Sequence, residues 1–234
     1  MYTRGMVAVA VGAKQLVKDG ATVGRAVSTI RFRIITGDLS PGEPLRQEDM
    51  AQQLNMSRAP VREALQILAD QGLVQHRTHS GYFVAKRPPS ELAQIFLMLE
   101  FLETEIAKTI SWPNDETLAE LRSINERMRE LIDSYEIGAV VELNHQFHFT
   151  IFGLSPLGLV LHELERLWDM AAPYIANKLT TAEARARTID EHDRIIRALQ
   201  GRRRATILDE VESHRTQRSE LILAALPKTL RSRA

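Results

Sequence analysis

The sequence predicts a mainly α-helical protein in two parts, and three observations predict it. Apolar residues recur with helical spacing through most of the 234 residues. Strand-like runs are confined to a short stretch around residues 73–85. The segment Lys86-Arg87-Pro88-Pro89-Ser90 divides a basic part from an acidic one. Residues 1–89 carry 12 Lys/Arg against 7 Asp/Glu, a net of +5, and residues 90–234 carry 18 against 23, a net of −5. The formal charge of zero therefore hides a polarity: a basic half suits a phosphate backbone, and an acidic half resists lying on one.

The elements follow in order. An N-terminal extension over residues 1–24, read as mobile, contains a short apolar run, Met6 to Val11, behind a single Arg4. That run is too short for a membrane span, and Lys14, Lys18 and Asp19 argue against a signal peptide, so no membrane partner is expected and the cytoplasm is the expected compartment. No cysteine is present, which excludes disulfides and thiolate metal sites.

Gln47 to Leu54 reads as a short helix with Met50, Ala51 and Leu54 inward, and Asn55 stands at a turn that needs positive φ. A second helix starts at Ser57, the expected N-cap, tolerates Pro60 in its first turn and stops at Gly72. Its apolar stripe is Val61, Ala64, Leu65 and Leu68, and Arg58 and Arg62 lie off that stripe, one turn apart. Two strand-like runs, Leu73 to Arg77 and Tyr82 to Ala85, flank Thr78-His79-Ser80-Gly81 as a hairpin. Helix, turn, helix and β-hairpin together make a winged helix-turn-helix. Residues 25–87 form this expected DNA-binding domain and residues 88–90 the linker, in which the prolines stiffen the joint and Ser90 is expected to cap the next helix.

From there six helices are expected, about 90–110, 114–135, 138–153, 157–179, 182–200 and 203–226, punctuated by Pro113, Gly138, Gly153, Pro156 and Gly201. Short connections imply an all-α antiparallel bundle over residues 91–226, followed by a tail over 227–234. In this bundle Asn144 and His148 share a helix face, His192 sits among Ile189, Ile195 and Ile196, and His214 lies near Leu208 and Val211. Buried imidazoles must find partners, and spacing alone leaves two readings open: separate hydrogen-bonded core histidines, or three nitrogens converging on a divalent metal.

Residues 25–87, with Thr36-Gly37-Asp38-Leu39-Ser40-Pro41-Gly42 and Ser57-Arg58-Ala59-Pro60-Val61-Arg62-Glu63-Ala64-Leu65, resemble the DNA-binding domain of the GntR superfamily of transcription regulators. Gln47, Glu48 and Asn55 depart from that pattern; Glu48 stands where many members carry a basic DNA-contacting residue, a departure read as leaving Arg58 and Arg62 untouched. The segments Asn144 to His148, Glu191 to Ile195 and Val211 to His214 resemble the signatures of the FCD ligand-binding domain of the FadR-type branch. That resemblance implies a divalent metal, zinc first and nickel or another transition metal as alternatives, held by Asn144, His148, His192 and His214. It also implies a homodimeric, non-enzymatic repressor that answers a small organic acid effector and binds a near-palindromic double-stranded operator.

On this reading Ser57, Arg58, Arg62, His79 and Gly81 contact DNA, and Arg166, Trp168 and Tyr174 are effector-binding candidates. Leu99 occupies the place of an arginine that anchors acidic effectors in the family, so the metal or another cation must take that part. Asn144 stands where Asp is usual, and His145 and His162 match no family position. Two other functions compete: a metal-sensing regulator without organic effector, and a metal-dependent hydrolase fused to a winged helix.

Overall fold

A computed structural model describes the backbone of residues 4–224 and the side chains of residues 20–176 and 179–215. The chain divides into two units: Leu39–Lys86 with the segment up to Ile34, and Ile35–Asp38 with the segment from Arg87 onward. The expected extension over residues 1–24 lies mostly outside the described side chains, and its backbone from Arg4 is helical; the expected tail lies outside the described residues altogether.

The first unit contains α1 (Arg4–Ile35), β1 (Pro44–Leu45), α2 (Gln47–Gln53), α3 (Arg58–Asp70), β2 (Val74–Arg77) and β3 (Gly81–Val84). Val61, Ala64, Leu65 and Leu68 of α3 are fully buried against Ile30 and Ile34 of α1 and Met50 and Ala51 of α2. Asn55 takes φ 51° and lets the chain turn between α2 and α3. Gly72, at φ 80°, ends α3, with Leu73 N–H donating to Leu68 O. Ser57 does stand at the N-cap position with an extended backbone, but its hydroxyl makes no capping bond, which corrects the expected cap. The sheet has a third strand that the hairpin reading missed: β1 pairs antiparallel with β3, giving the order β1-β3-β2 with Leu45 opposite Tyr82.

The second unit is built from α4 (Pro89–Thr109), α5 (Asp115–Glu130), α6 (Ile137–Phe152), α7 (Gly158–Ala176), a 3-10 turn (Asn177–Thr180), α8 (Ala182–Gln200) and α9 (Arg204–Ala224). Helix α4 packs on α7 and α9, α5 on α6 and α8, and α8 on α9, so α8 has neighbours on both sides of the bundle. Pro89 at the first helical position starts α4 with Pro88 as N-cap, so Ser90 lies inside the helix rather than capping it. Helix α5 ends five residues earlier than the 135 expected, at Glu130. Buried Arg185 satisfies carbonyls that this stop leaves without helical partners, its guanidinium donating to Leu131 O at 3.2 Å and Ser134 O at 2.6 Å.

Candidate functional site

The first of two candidate sites is the outer face of α3. The stripe that buries Val61, Ala64, Leu65 and Leu68 leaves Arg58, Ala59, Arg62 and Glu63 exposed on the other side, together with Ser57 at the helix entrance. Arg58 does not stand alone. Its guanidinium pairs with the carboxylate of Glu48 on α2, both side chains being largely exposed (66% and 72%). Glu48 is therefore in contact with Arg58, which the sequence reading had taken as untouched by it, since the tight turn at Asn55 brings the start of α2 and the start of α3 together.

The hairpin presents Arg77, Thr78, His79 and Ser80 to solvent. His79 at φ 63° and Gly81 at φ 86° shape its turn, a conformation costly for the histidine and natural for the glycine. The Arg77 guanidinium lies 4.4 Å above the Phe83 ring, a contact unseen in sequence that holds a cation on the wing.

The second site lies in the helical unit. Asn144 and His148 come from α6, His192 from α8 and His214 from α9, and all four are buried. The structure brings the three histidines together: one ring nitrogen of each lies within 4.8 Å of the others. His214 Nε2 and His148 Nε2 are 3.2 Å apart. Two nitrogens bound at ~2.05 Å to one tetrahedral metal are separated by about 3.3 Å, so this spacing already matches a shared ion.

Two of the three rings are fixed from behind. Asn125 of α5 donates through Nδ2 to Ile189 O at 3.1 Å and Asp193 Oδ1 at 2.7 Å, which orients its amide and leaves Oδ1 to accept from His192 Nδ1 at 3.2 Å. Glu191, itself 1% exposed, accepts from His214 Nδ1 at 2.5 Å. Both partners place the proton on Nδ1 and so turn the Nε2 lone pair inward, the tautomer a metal requires. Phe147 stacks on His192 at 3.7 Å with 7° between the planes and fixes that ring's tilt. The donor set of three imidazoles with a buried carboxylate behind one of them fits a divalent transition metal in chemistry and in charge.

A hollow beside these rings is lined by Asn144, His148, Trp168, Ile175, Leu179, Thr188 and His214. It leaves about 10 Å³ for water centres, the space of roughly one water molecule. Asn144 thus faces the same space as two of the histidines. Thr188, which sequence reasoning did not single out, is 2% exposed, and its Oγ1 has no hydrogen-bond partner among the described residues. It precedes His192 by one helical turn, a spacing that could have flagged it.

The effector candidates separate. Trp168 lines the hollow, and its Nε1 donates to the buried Glu103 at 2.8 Å. Tyr174 is not part of that lining: its hydroxyl accepts from the Arg87 backbone N–H at 2.9 Å and fastens the entry to α4. Arg166 is likewise outside the lining and is paired with Glu163 one turn back at 2.5 Å. The hydrogen bond from Arg166 holds the Glu163 carboxyl below its ordinary range, and the same bond raises Arg166. His145, off the histidine cluster, stacks on Phe149 at 4.2 Å, and His162 is exposed.

A winged helix-turn-helix with cations on its outer helix, in one chain with a second, all-helical unit, is the make-up of a DNA-binding regulator. Residues 22–84 match the family described as bacterial regulatory proteins, gntR family, and residues 94–217 match the FCD domain. The chain belongs to the GntR family of transcriptional regulators, in its FCD-containing form. It is 27% identical over 169 residues to the HTH-type transcriptional regulator McbR of Escherichia coli K12, covering 70% of this chain and 76% of that protein. It is 26% identical over 142 residues to the HTH-type transcriptional repressor RspR of the same organism, covering 58% of this chain and 62% of that protein. The solved structure of E. coli McbR/YncC superposes with a TM-score of 0.78 at 21% identity over 87% of this chain and 97% of that one, a likeness of fold.

Proposed function

We propose that this DNA-binding regulator is a homodimeric, cytoplasmic repressor whose affinity for a near-palindromic operator is set by a divalent metal, zinc first, in the helical unit. The observation that carries the reading is the set of three buried imidazoles within 4.8 Å of one another, two of them held in the metal-binding tautomer by Glu191 and Asn125. His148, His192 and His214 would hold the ion, with Asn144 facing the same space as a fourth donor. The ion would supply a fixed positive charge able to draw an acidic group into a hollow whose described lining carries no arginine. Ser57, Arg58 and Arg62 would meet the major groove, with the wing at His79 to Gly81 reaching the adjacent minor groove. Repression is supported by the likeness to RspR, a transcriptional repressor.

The size of the hollow bears on the effector. The space among the described residues, about 10 Å³ or roughly one water, suits a metal with a water ligand better than an organic acid of several carbons. This favours, as a second reading, a metal-sensing regulator without an organic effector. A hydrolytic role is the weakest, because Glu191, the buried carboxylate in contact with this cluster, lies behind His214 at Nδ1 rather than beside the Nε2 edge where a water would be activated.

Regulation requires an affinity difference between states. Operator binding of the full chain, measured after chelation, after zinc loading, and with zinc plus a panel of small carboxylic acids, tests the proposal. A zinc-dependent affinity that an acid then shifts supports the effector reading, and zinc dependence insensitive to every acid supports the metal sensor. Equal affinity in all three states overturns both.

A further inference from the structure

We propose that Glu48 is a specificity-determining residue of the DNA interface: it neutralises Arg58 and so turns that side chain from a general phosphate clamp into a reader of G·C pairs. The inference rests on the reading of α3 as the helix that enters the groove. Its observation is the ion pair between Glu48, second residue of α2, and Arg58, first residue of α3, which joins the two helices of the helix-turn-helix at their exposed ends. Neither side chain is needed by the core, since both are more than half exposed, and the pair spans two helices rather than one.

An unpaired arginine at this place gains from any duplex, because each phosphate neutralised releases counterions and adds about 0.9 to the slope of log affinity against log salt. Paired with Glu48, Arg58 brings no net charge, and a phosphate approaching it also meets a carboxylate. On random DNA the two effects offset each other. On a guanine the pair can persist. A guanidinium has five N–H donors, and the pair to Glu48 engages only one edge of it. The rest can still donate to O6 and N7, while the second carboxylate oxygen can accept from the N4 amino group of a neighbouring cytosine. Holding Arg58 in one rotamer before docking also lowers the ordering cost of a long side chain. The carboxylate thus weakens binding to the wrong sequences more than to the right one, which is how specificity is gained.

The test uses the full-length, metal-loaded protein, a duplex selected from a random pool against it, and a scrambled duplex of equal length. Affinities of the wild type, Glu48→Gln, Glu48→Ala and Arg58→Ala are measured across a salt series, with thermal melting to confirm that each variant is folded. Both Glu48 variants are expected to bind the scrambled duplex more tightly, with a salt slope steeper by about one. The ratio of selected to scrambled affinity should fall roughly tenfold, within the range a lost bidentate base contact allows. An unchanged or larger ratio in both Glu48 variants, with Arg58→Ala still weakening the selected duplex, overturns the proposal and leaves the reading of α3 standing. If Arg58→Ala changes neither affinity, the assignment of Arg58 to the interface falls as well.

Discussion

Replacing His214 by alanine tests the metal centre through the stability of the helical unit. A ligand that binds only the folded state stabilises it by about 2.7 kcal/mol at a concentration 100 times its dissociation constant. For a chain of this size one kcal/mol moves the melting temperature by roughly 2–4 °C, so saturating zinc should raise it by about 5–11 °C in the wild type. His214→Ala removes one of three nitrogens and also takes a hydrogen-bonded partner from the buried Glu191 carboxylate. The metal-free variant should therefore melt below the metal-free wild type, by the equivalent of about 1–3 kcal/mol. The informative quantity is the zinc-induced increment, which the variant should lose. Exposed His162 is the control, and His162→Ala should keep the full increment. Differential scanning calorimetry with chelator and with zinc reads all of these. Equal increments in the wild type and His214→Ala, or none in the wild type, would rule out His214 as a metal ligand. The second result would leave the histidines as a hydrogen-bonded core in which His214 bridges Glu191 and His148.

Two further expectations follow from the packing. Phe147 is fully buried and stacked on His192, so Phe147→Ala should cost about 3–5 kcal/mol in denaturant unfolding and weaken zinc binding along with it; a large stability loss with unchanged zinc affinity would show that the ring does not position His192. Arg166, tied to Glu163, should be dispensable to the metal response, and an Arg166→Ala protein whose zinc-dependent operator binding changes would restore it as a site residue. The same pair has a pH signature. Glu163 has a depressed folded-state value, so its contribution is present above the ordinary carboxylate range and is lost as pH falls through the lowered one. With both groups about 40% exposed, acid titration of melting temperature should differ only slightly between Arg166→Ala and the wild type.

What the sequence disclosed and what it concealed have physical causes. The stripe Val61, Ala64, Leu65 and Leu68 was legible because a helix repeats every 3.6 residues and a single core lies on one side of it. The stop at Gly72 and the turn at Asn55 were legible because few residues tolerate positive φ. Strand β1 escaped notice since two residues show no period. Along α6, spacing placed Asn144 and His148 on one face, but their meeting with His192 and His214 depends on how α8 and α9 pack, which only the family resemblance suggested. Asn125 and Glu191 support the histidines from neighbouring positions that no local pattern marks. The partners of Tyr174 and Arg166 were hidden for the same reason, for a helix face can be read from spacing while the neighbour it meets cannot. The Glu48–Arg58 pair joins residues ten apart across a turn, so the two charges looked independent.

On the proposed function, the exposed guanidinium of Arg62 on the second turn of α3 reads operator bases. The dissociation constant of Arg62→Ala for a selected operator, at one fixed salt concentration and with folding confirmed by its melting curve, tests this most directly. The constant should rise by roughly five- to 150-fold, the equivalent of about 1–3 kcal/mol. A folded Arg62→Ala protein that binds the operator as tightly as the wild type would contradict it.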